Sequence, residues 1–486
     1  MLVSLYTSRV VLGTLGVEDF GIYSVVGGVI VLFSFISGSM GYGTQRFLTH
    51  ALGKGDKLKV AKTFSVSMSI HIGAAFLILL LGETVGLWFL NSQLNLPTAR
   101  IDAVNWVYQF SVLSACIGIV QVPYNAVIIA NEKMSVFAYL SIAEALLKLG
   151  IVYLLTWFSF DKLKLYAILM FFVIAIVCVC YKIYCNQKFK ESLYKPVWDK
   201  ELFKLQMGFS GWTLFTSAAD VSMTQGVNML LNVFYGVAVN AAMGIANQVN
   251  NAVNSFVQNF QVAFMPQIIK SYAANERERF FNLIIRSSKF SFLLLFALSI
   301  PLILNMELAL KIWLKTVPEY AVVFCELVLI DSLVTTFVNP MTNAIAATGN
   351  IKNFYLTVTI IKLLIISGSF VFLSMGMPPT IVLFVKITVD CFLFIARALF
   401  LRSMVGFPLR RFASVLVRLA AVSMIAIPLP LIVCSQTSGL KALLFSGASF
   451  EIVFIVAAFV VCLDKRERCM VKGVWSKVRG RLLSRH

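Results

Sequence analysis

The sequence is poor in charge, in histidine and in long loops, and each shortage excludes a class of protein. Only 13% of its 486 residues are Asp, Glu, Lys or Arg, while 59% are apolar. A soluble domain carries about 25% charged residues and could not hide this much apolar surface. An ordinary water-soluble enzyme is excluded. The three histidines, His50, His71 and His486, stand far apart, and the nine cysteines contain no C-x-x-C pair. A zinc centre therefore has no ligand set to draw on. A G-x-S-x-G elbow, a P-loop and any assignable Ser/His/Asp constellation are also missing.

What the chain has instead is apolar runs of spanning length, with a mean hydropathy of +0.87. A membrane-crossing helix needs about 20 such residues. About fourteen candidates follow one another, centred near Arg9, Leu32, Phe76, Cys116, Leu147, Ile174, Ala219, Val249, Phe296, Leu329, Ile366, Phe392, Ala421 and Phe454. The expected fold is an all-α, polytopic membrane protein. Loops after even-numbered spans, with the C-terminal tail, hold 30 Lys and Arg residues, and loops after odd-numbered spans hold 6. By the positive-inside rule both termini are cytoplasmic. The net charge of +19 is thus mostly topology, and nucleic-acid binding is not called for. The basic tail from Asp464 to His486 suits the anionic inner leaflet, a generic anchor.

An internal repeat organises the spans. Shifted by 220, Leu15-Gly16-Val17 falls on Tyr235-Gly236-Val237, and Gln45 to Asp56 falls on Met265 to Glu276. Shifted by 217, Pro123 meets Pro340, Ala130 meets Ala347 and Phe137 meets Phe354. Two pseudo-symmetric six-helix lobes are expected, 1–204 and 205–405, around a central cavity, with helices thirteen and fourteen and the tail appended over 406–486. Six spans is an even number, so the lobes share one orientation, as in transporters with parallel repeats. The first span begins about half a helix late relative to its partner, which suggests an upstream start.

Ionisable groups inside spans cost about 2.5–3.5 kcal/mol each at mid-membrane and usually face a partner or a cavity. Glu144 and Lys148 lie four apart in span five, so they share a face and can neutralise each other; Lys386 and Asp390 do the same in span twelve. Both pairs are open to a structural or a cavity role. Glu326 and Asp331 lie in span ten, and Lys362 in span eleven is placed to snorkel to an interface. Arg9 in span one and Asp220 in span seven have no partner on their own helices and point to a pathway. Thr213, Ser217, Asp220, Thr224 and Asn228 form one face of span seven, and Asn247, Asn251, Asn254, Gln258 and Gln261 one face of span eight. Facing lipid, so many amides would be ruinous. They either bond between helices or line a wet cavity that offers carboxamides to a hydroxyl-rich ligand. Pro301, Pro340 and Pro428 mark kinks or hinges.

Several stretches resemble a known family. Leu15-Gly16-Val17-Glu18-Asp19-Phe20-Gly21-Ile22-Tyr23, Thr44-Gln45-Arg46-Phe47 followed by Gly53-Lys54-Gly55-Asp56, Ala130-Asn131-Glu132-Lys133-Met134, Asn240-Ala241-Ala242-Met243-Gly244-Ile245-Ala246 and Pro266-Gln267-Ile268 are similar to Wzx-type polysaccharide flippases of the multidrug/oligosaccharidyl-lipid/polysaccharide exporter superfamily. The resemblance implies a bacterial inner-membrane flippase for undecaprenyl-pyrophosphate-linked O-antigen or capsule repeat units. It implies alternating access, a lipid-tail groove at helices thirteen and fourteen, and partners among membrane lipids, the polysaccharide polymerase and other assembly proteins. Arg9 or Lys148 would then meet the pyrophosphate, with Glu144 beside it. Asn247, Asn251, Asn254 and Gln258 would bind sugar hydroxyls. Asp220 would be the coupling-ion candidate, for H+ or Na+, and no cofactor is expected.

Two other readings compete. A cation-coupled multidrug exporter of the same superfamily predicts twelve spans and a cavity suited to organic cations. An O-antigen polymerase or ligase needs a sizeable outer loop with catalytic Arg or His. The longest outer loops, around Asn91–Asp102 and Asn305–Tyr320, are about a dozen residues each and carry Arg100, Lys311 and Lys315, with no His.

Overall fold

A computed structural model describes residues 11, 14, 15, 19, 22, 23, 37–92, 100–157, 161–314, 317–436, 439–464, 467 and 468. Among these residues the structure is helical, without strands. Helix α1 covers 37–53. It is followed by α2 (Lys57–Leu81, carried on through a π-turn Gly82–Gly86 and Leu87–Ser92), α3 (Ile101–Ala130), α4 (Met134–Trp157), α5 (Lys162–Lys188), α6 (Lys200–Tyr235), α7 (Val237–Ala273) and α8 (Arg277–Leu304). Then come α9 (Met306–Trp313), α10 (Ala321–Thr335), α11 (Val338–Thr348), α12 (Lys352–Ser374), α13 (Ile381–Val405), α14 (Leu409–Ala426), α15 (Pro428–Gln436) and α16 (Leu440–Ala457).

Nine helical stretches among the described residues are long and apolar enough to cross a membrane. Helices α6, α7 and α13 run for 36, 37 and 25 residues; α6 and α7 are richer in polar residues, α13 carries Lys386, Asp390, Arg397 and Arg402, and the three contain the expected centres Ala219, Val249 and Phe392. The centres Arg9 and Leu32 lie outside the described residues. The protein is a multi-pass membrane protein. Its lipid-facing surface is visible on α4, which leaves Tyr139, Ile142, Leu146 and Leu147 exposed.

Helix starts are written in aspartates. Asp56 accepts from the backbone N–H of Lys59 at 2.9 Å, Asp161 from that of Leu163 at 3.1 Å, and Asp199 from that of Leu202 at 2.9 Å. Each satisfies a donor that the first helical turn leaves open. Span ten is broken at Thr336 and Phe337, between α10 and α11. Pro340 is the third residue of α11; its ring cannot coexist with the carbonyl of Thr336, four residues earlier, in a regular helix.

The chain divides into two compact units, Met1–Asp220 with Ile269–Glu276, and Val221–Ile268 with Arg277–His486. In the first, Phe64, Tyr124, Ile128, Leu155, Tyr181 and Cys185 pack a common core from α2, α3, α4 and α5. In the second, Leu231, Ala246, Leu295, Phe324, Leu329 and Leu383 do so from α6, α7, α8, α10 and α13. Beyond α16 the chain turns back to α8, where buried Glu467 accepts from Lys289 Nζ at 2.6 Å.

The sequence repeat reappears in the backbone. Gly55 and Asn275, one repeat apart, both take the left-handed conformation, φ 72° and 60°. The hydrogen bonds match as well: Gly55 N to Leu52 O and Asn275 N to Tyr272 O, each at 3.0 Å. At the second offset, Glu132 (φ 60°) pairs with Gly349 (φ 80°), and Glu132 N to Ile129 O with Gly349 N to Ala346 O. Equivalent turns also touch. A Cβ on Gly53 would lie 2.9 Å from the Cβ of its repeat partner Ala273 and 2.8 Å from Lys270 Cα. Lys270 in turn donates to Glu132 at 2.7 Å.

At the opposite ends of α3 and α5, Arg100 holds two carboxylates. It donates to both oxygens of Asp19, at 3.0 and 2.5 Å, and to Asp161 at 2.7 Å. Burial raises the Asp161 pKa, but the bonds from Arg100 and from the backbone N–H groups of Lys164 and Leu163 outweigh it and leave the group lowered. A carboxyl depressed on folding stabilises the protein above its ordinary pKa, and that contribution disappears as pH falls through the depressed value. Arg100→Ala is therefore expected to cost about 2 kcal/mol at neutral pH and to flatten the acid limb of the melting curve. Thermal melts of the purified protein from pH 7 to pH 3 check both effects.

Candidate functional site

In the first unit, α3, α4 and α5 line a half-open cavity of about 260 Å3 near the middle of the bilayer-crossing segments. Its polar lining comes from Ser114, Gln121 and Asn125 on α3 and from Glu144 and Lys148 on α4. The spacing along α3, seven residues and then four, keeps its three polar groups on one face. Because α4 gives its apolar face outward, Glu144 and Lys148 turn inward. The ion pair expected from their spacing forms: Lys148 Nζ donates to Glu144 Oε1 at 2.6 Å. Ile174 and Val177 of α5 form an apolar wall. Asn125 Oδ1 is buried and accepts no hydrogen bond, which leaves an acceptor open to a ligand or a water.

The polar faces of α6 and α7 hold side chains bonded to neighbouring elements and side chains that are exposed. On α6, Thr213 Oγ1 donates to Ser210 O at 2.9 Å, and Ser217 Oγ accepts from Ser39 Oγ at 3.1 Å. Farther along, Asp220 and Thr224 are exposed. On α7, Asn254 donates to Asn250 Oδ1 at 2.5 Å and to Ser332 Oγ at 3.0 Å. Gln261 donates to Thr336 O at 2.9 Å and accepts from Asn339 at 2.8 Å. These amides bond α7 to α10 and α11, whereas Asn251 and Gln258 are exposed and Asn247 is half-buried. Arg9 lies outside the described residues.

Comparison with solved structures places the fold. A crystal structure of MATE in the straight conformation superposes with a TM-score of 0.70 at 13% identity, covering 83% of this chain and 92% of that one. An outward-facing multidrug resistance MATE family transporter of the MOP superfamily gives the same TM-score, identity and coverage. The fold is that of a MATE transporter. A MOP superfamily transporter from Pyrococcus furiosus, described by the reverse polarity of its binding pocket and a suggested different function, shares the fold at TM-score 0.66 and 15% identity, covering 83% of this chain and 92% of that one. No protein-family model and no curated protein matches the sequence. At such identities the likeness carries the MATE fold, and the chemistry has to come from this chain's own side chains.

One cluster was only half legible in the sequence. Lys386 of α13 donates to Asp390 at 3.0 Å, as their spacing predicts, but it also pairs with Asp331 of α10. Both carboxylates are buried, with side-chain exposures of 9% and 6%. Asp331 stands beside Ser332, which donates to Asn250 at 2.6 Å, so the ionic cluster and the amide network adjoin. Among the described residues, no group of three His, Cys, Asp or Glu side chains could hold a metal ion.

Proposed function

We propose that the protein is a flippase that moves undecaprenyl-pyrophosphate-linked oligosaccharide repeat units across a bacterial inner membrane by ion-coupled alternating access. The MATE fold supports a transporter. The observation that carries the finer reading is the density of uncharged hydrogen-bonding groups left open inside spanning helices: Gln121 and Asn125 at the α3 cavity, and Asn251 and Gln258 on α7. Amides donate and accept in one plane and suit sugar hydroxyls. In this reading Arg9 meets the pyrophosphate, Asp220 takes the coupling H+ or Na+, and Asn247 adds to the polar lining, while Asn254, bonded to Asn250 and Ser332, holds that lining in place. Both termini are cytoplasmic, and the product passes to the polymerase and other assembly proteins on the far face. A polymerase or ligase activity gains nothing from Arg100, which the Asp19 and Asp161 carboxylates already engage.

A second reading has one observation in its favour: a fold neighbour is a multidrug resistance transporter. Deleting the gene in the source bacterium separates the two. The flippase reading predicts complete single repeat units on the carrier lipid, accumulating on the cytoplasmic leaflet. Normal surface glycan together with new drug sensitivity would favour the exporter.

A further inference from the structure

The α3–α5 cavity has a composition that selects its ligand. Lys148 is the cation that could hold a phosphate there, yet its ammonium is 2.6 Å from the Glu144 carboxylate on the same face of the same helix. The other lining groups are amides, a hydroxyl and hydrocarbon, so the lining carries one positive and one negative charge. An anionic group entering the cavity would meet a carboxylate as closely as an ammonium, and like charges brought together are costly. An organic cation fares no better, since the same ammonium faces it.

Size narrows the choice further. About 260 Å3 lies below the roughly 300–1,000 Å3 of sites for drug-sized ligands. It holds about eight waters at about 30 Å3 each, or one six-membered ring with its substituents. The lining supplies the group types that such a ring requires. Glu144 and the Asn125 amide oxygen accept from hydroxyls; Lys148 and the amide nitrogens donate. Ile174 and Val177 offer hydrocarbon for the C–H face of such a ring. Gly118 leaves the α3 side open: a Cβ added there would meet no atom within 4 Å. The unbonded Asn125 Oδ1 is the acceptor that such a ring would satisfy.

We propose that this cavity is a subsite for one neutral sugar ring of the cargo, gripped by the Glu144–Lys148 pair with Gln121 and Asn125, and that it is not the seat of the pyrophosphate. The identity of the cargo rests on the flippase reading; the neutrality of the ligand rests on the cavity alone. The charge of Lys148 is spent within the lining, which leaves the anionic end of the carrier to a cation elsewhere.

The test uses the full-length protein in nanodiscs and saturation-transfer-difference NMR, with methyl β-glucoside and methyl N-acetyl-β-glucosaminide as probes. Both, or one of them, should give a signal that 10 mM pyrophosphate leaves unchanged. Gly118→Leu fills the cavity from its open side and should reduce that signal at least fivefold while the melting temperature holds. Asn125→Leu provides a second, independent loss should Gly118→Leu fold poorly. Displacement of the glycosides by pyrophosphate, an undiminished signal in both variants, or no signal from either glycoside would overturn the subsite. None of these results touches the accumulation of lipid-linked repeat units in the deletion strain, so a failed subsite and a failed flippase reading are told apart.

Discussion

Lys386→Met will destabilise the protein by about 3–5 kcal/mol, the usual cost of removing one partner from a buried ionic cluster. The reason is the count of charges around one ammonium. Asp331 and Asp390 both reach Lys386, and both are nearly sealed from solvent. Removing the lysine leaves two carboxylates in a low-dielectric interior with each other for company. Methionine keeps the length of the aliphatic stem, so the loss is of charge and not of packing. Purified Lys386→Met should lose most of its monodisperse peak after brief heating at a temperature the parent survives. Adding Asp331→Asn and Asp390→Asn should restore most of the loss, because a neutral cluster has no charge to compensate. A Lys386→Met single variant as stable as the parent would show that the cluster is not ionised as described.

Gly53→Val will be the next most damaging change. A Cβ at this position comes within 2.8 Å of Lys270 Cα, 2.9 Å of Lys270 O and 2.9 Å of Ala273 Cβ. Two of those atoms belong to the backbone and cannot rotate away. Overpacking of this kind costs about 1–3 kcal/mol, and here it also pushes α1 from the end of α7, where the equivalent turns of the repeat meet. Gly53→Ala should already be destabilising, since the first added carbon makes the clash. Gly73→Ala is the control: nothing lies within 4 Å of its added carbon, and alanine is the better helix former by about 1 kcal/mol. Melting temperatures of the three variants should fall for both position-53 changes and hold or rise for Gly73→Ala. Equal stability of Gly53→Ala and the parent would remove the close approach from the account.

The pattern of helices was readable because the spanning segments declare themselves locally, through hydropathy; the aspartates that begin α2, α5 and α6 are a local signal that this reading left unused. The repeat was readable for the same reason: Gly55 and Asn275 occupy equivalent left-handed turns, and short polar residues or glycine are what such turns admit. Partners on other helices were not readable. The four-residue spacing of Lys386 and Asp390 was plain, but Asp331 lies 55 positions away, and no local rule links them. Arg100 likewise looked like a lone outer base, and only the folded chain brings Asp19 and Asp161 to it.

Periodicity has its own limit. It shows that amides share a face of α7 without showing what that face meets. Asn254 and Gln261 turn out to bond α10 and α11, while Asn251 and Gln258 stay open. Around the α3 cavity a search for ionisable groups found Glu144 and Lys148 but passed over Gln121 and Asn125. Their spacing with Ser114 was the available signal, three polar residues on one face of an otherwise apolar helix.

The most direct measurement of the central claim is reconstitution. Purified protein in proteoliposomes, given a fluorescent undecaprenyl-pyrophosphate oligosaccharide and an inward H+ or Na+ gradient, should move the lipid between leaflets at a rate at least tenfold above protein-free liposomes. Asp220→Ala, equally well incorporated, should abolish the gradient-dependent part. Transport of ethidium under the same gradient, with the lipid-linked oligosaccharide left where it was placed, would contradict the flippase account and make this MATE-fold protein a drug exporter.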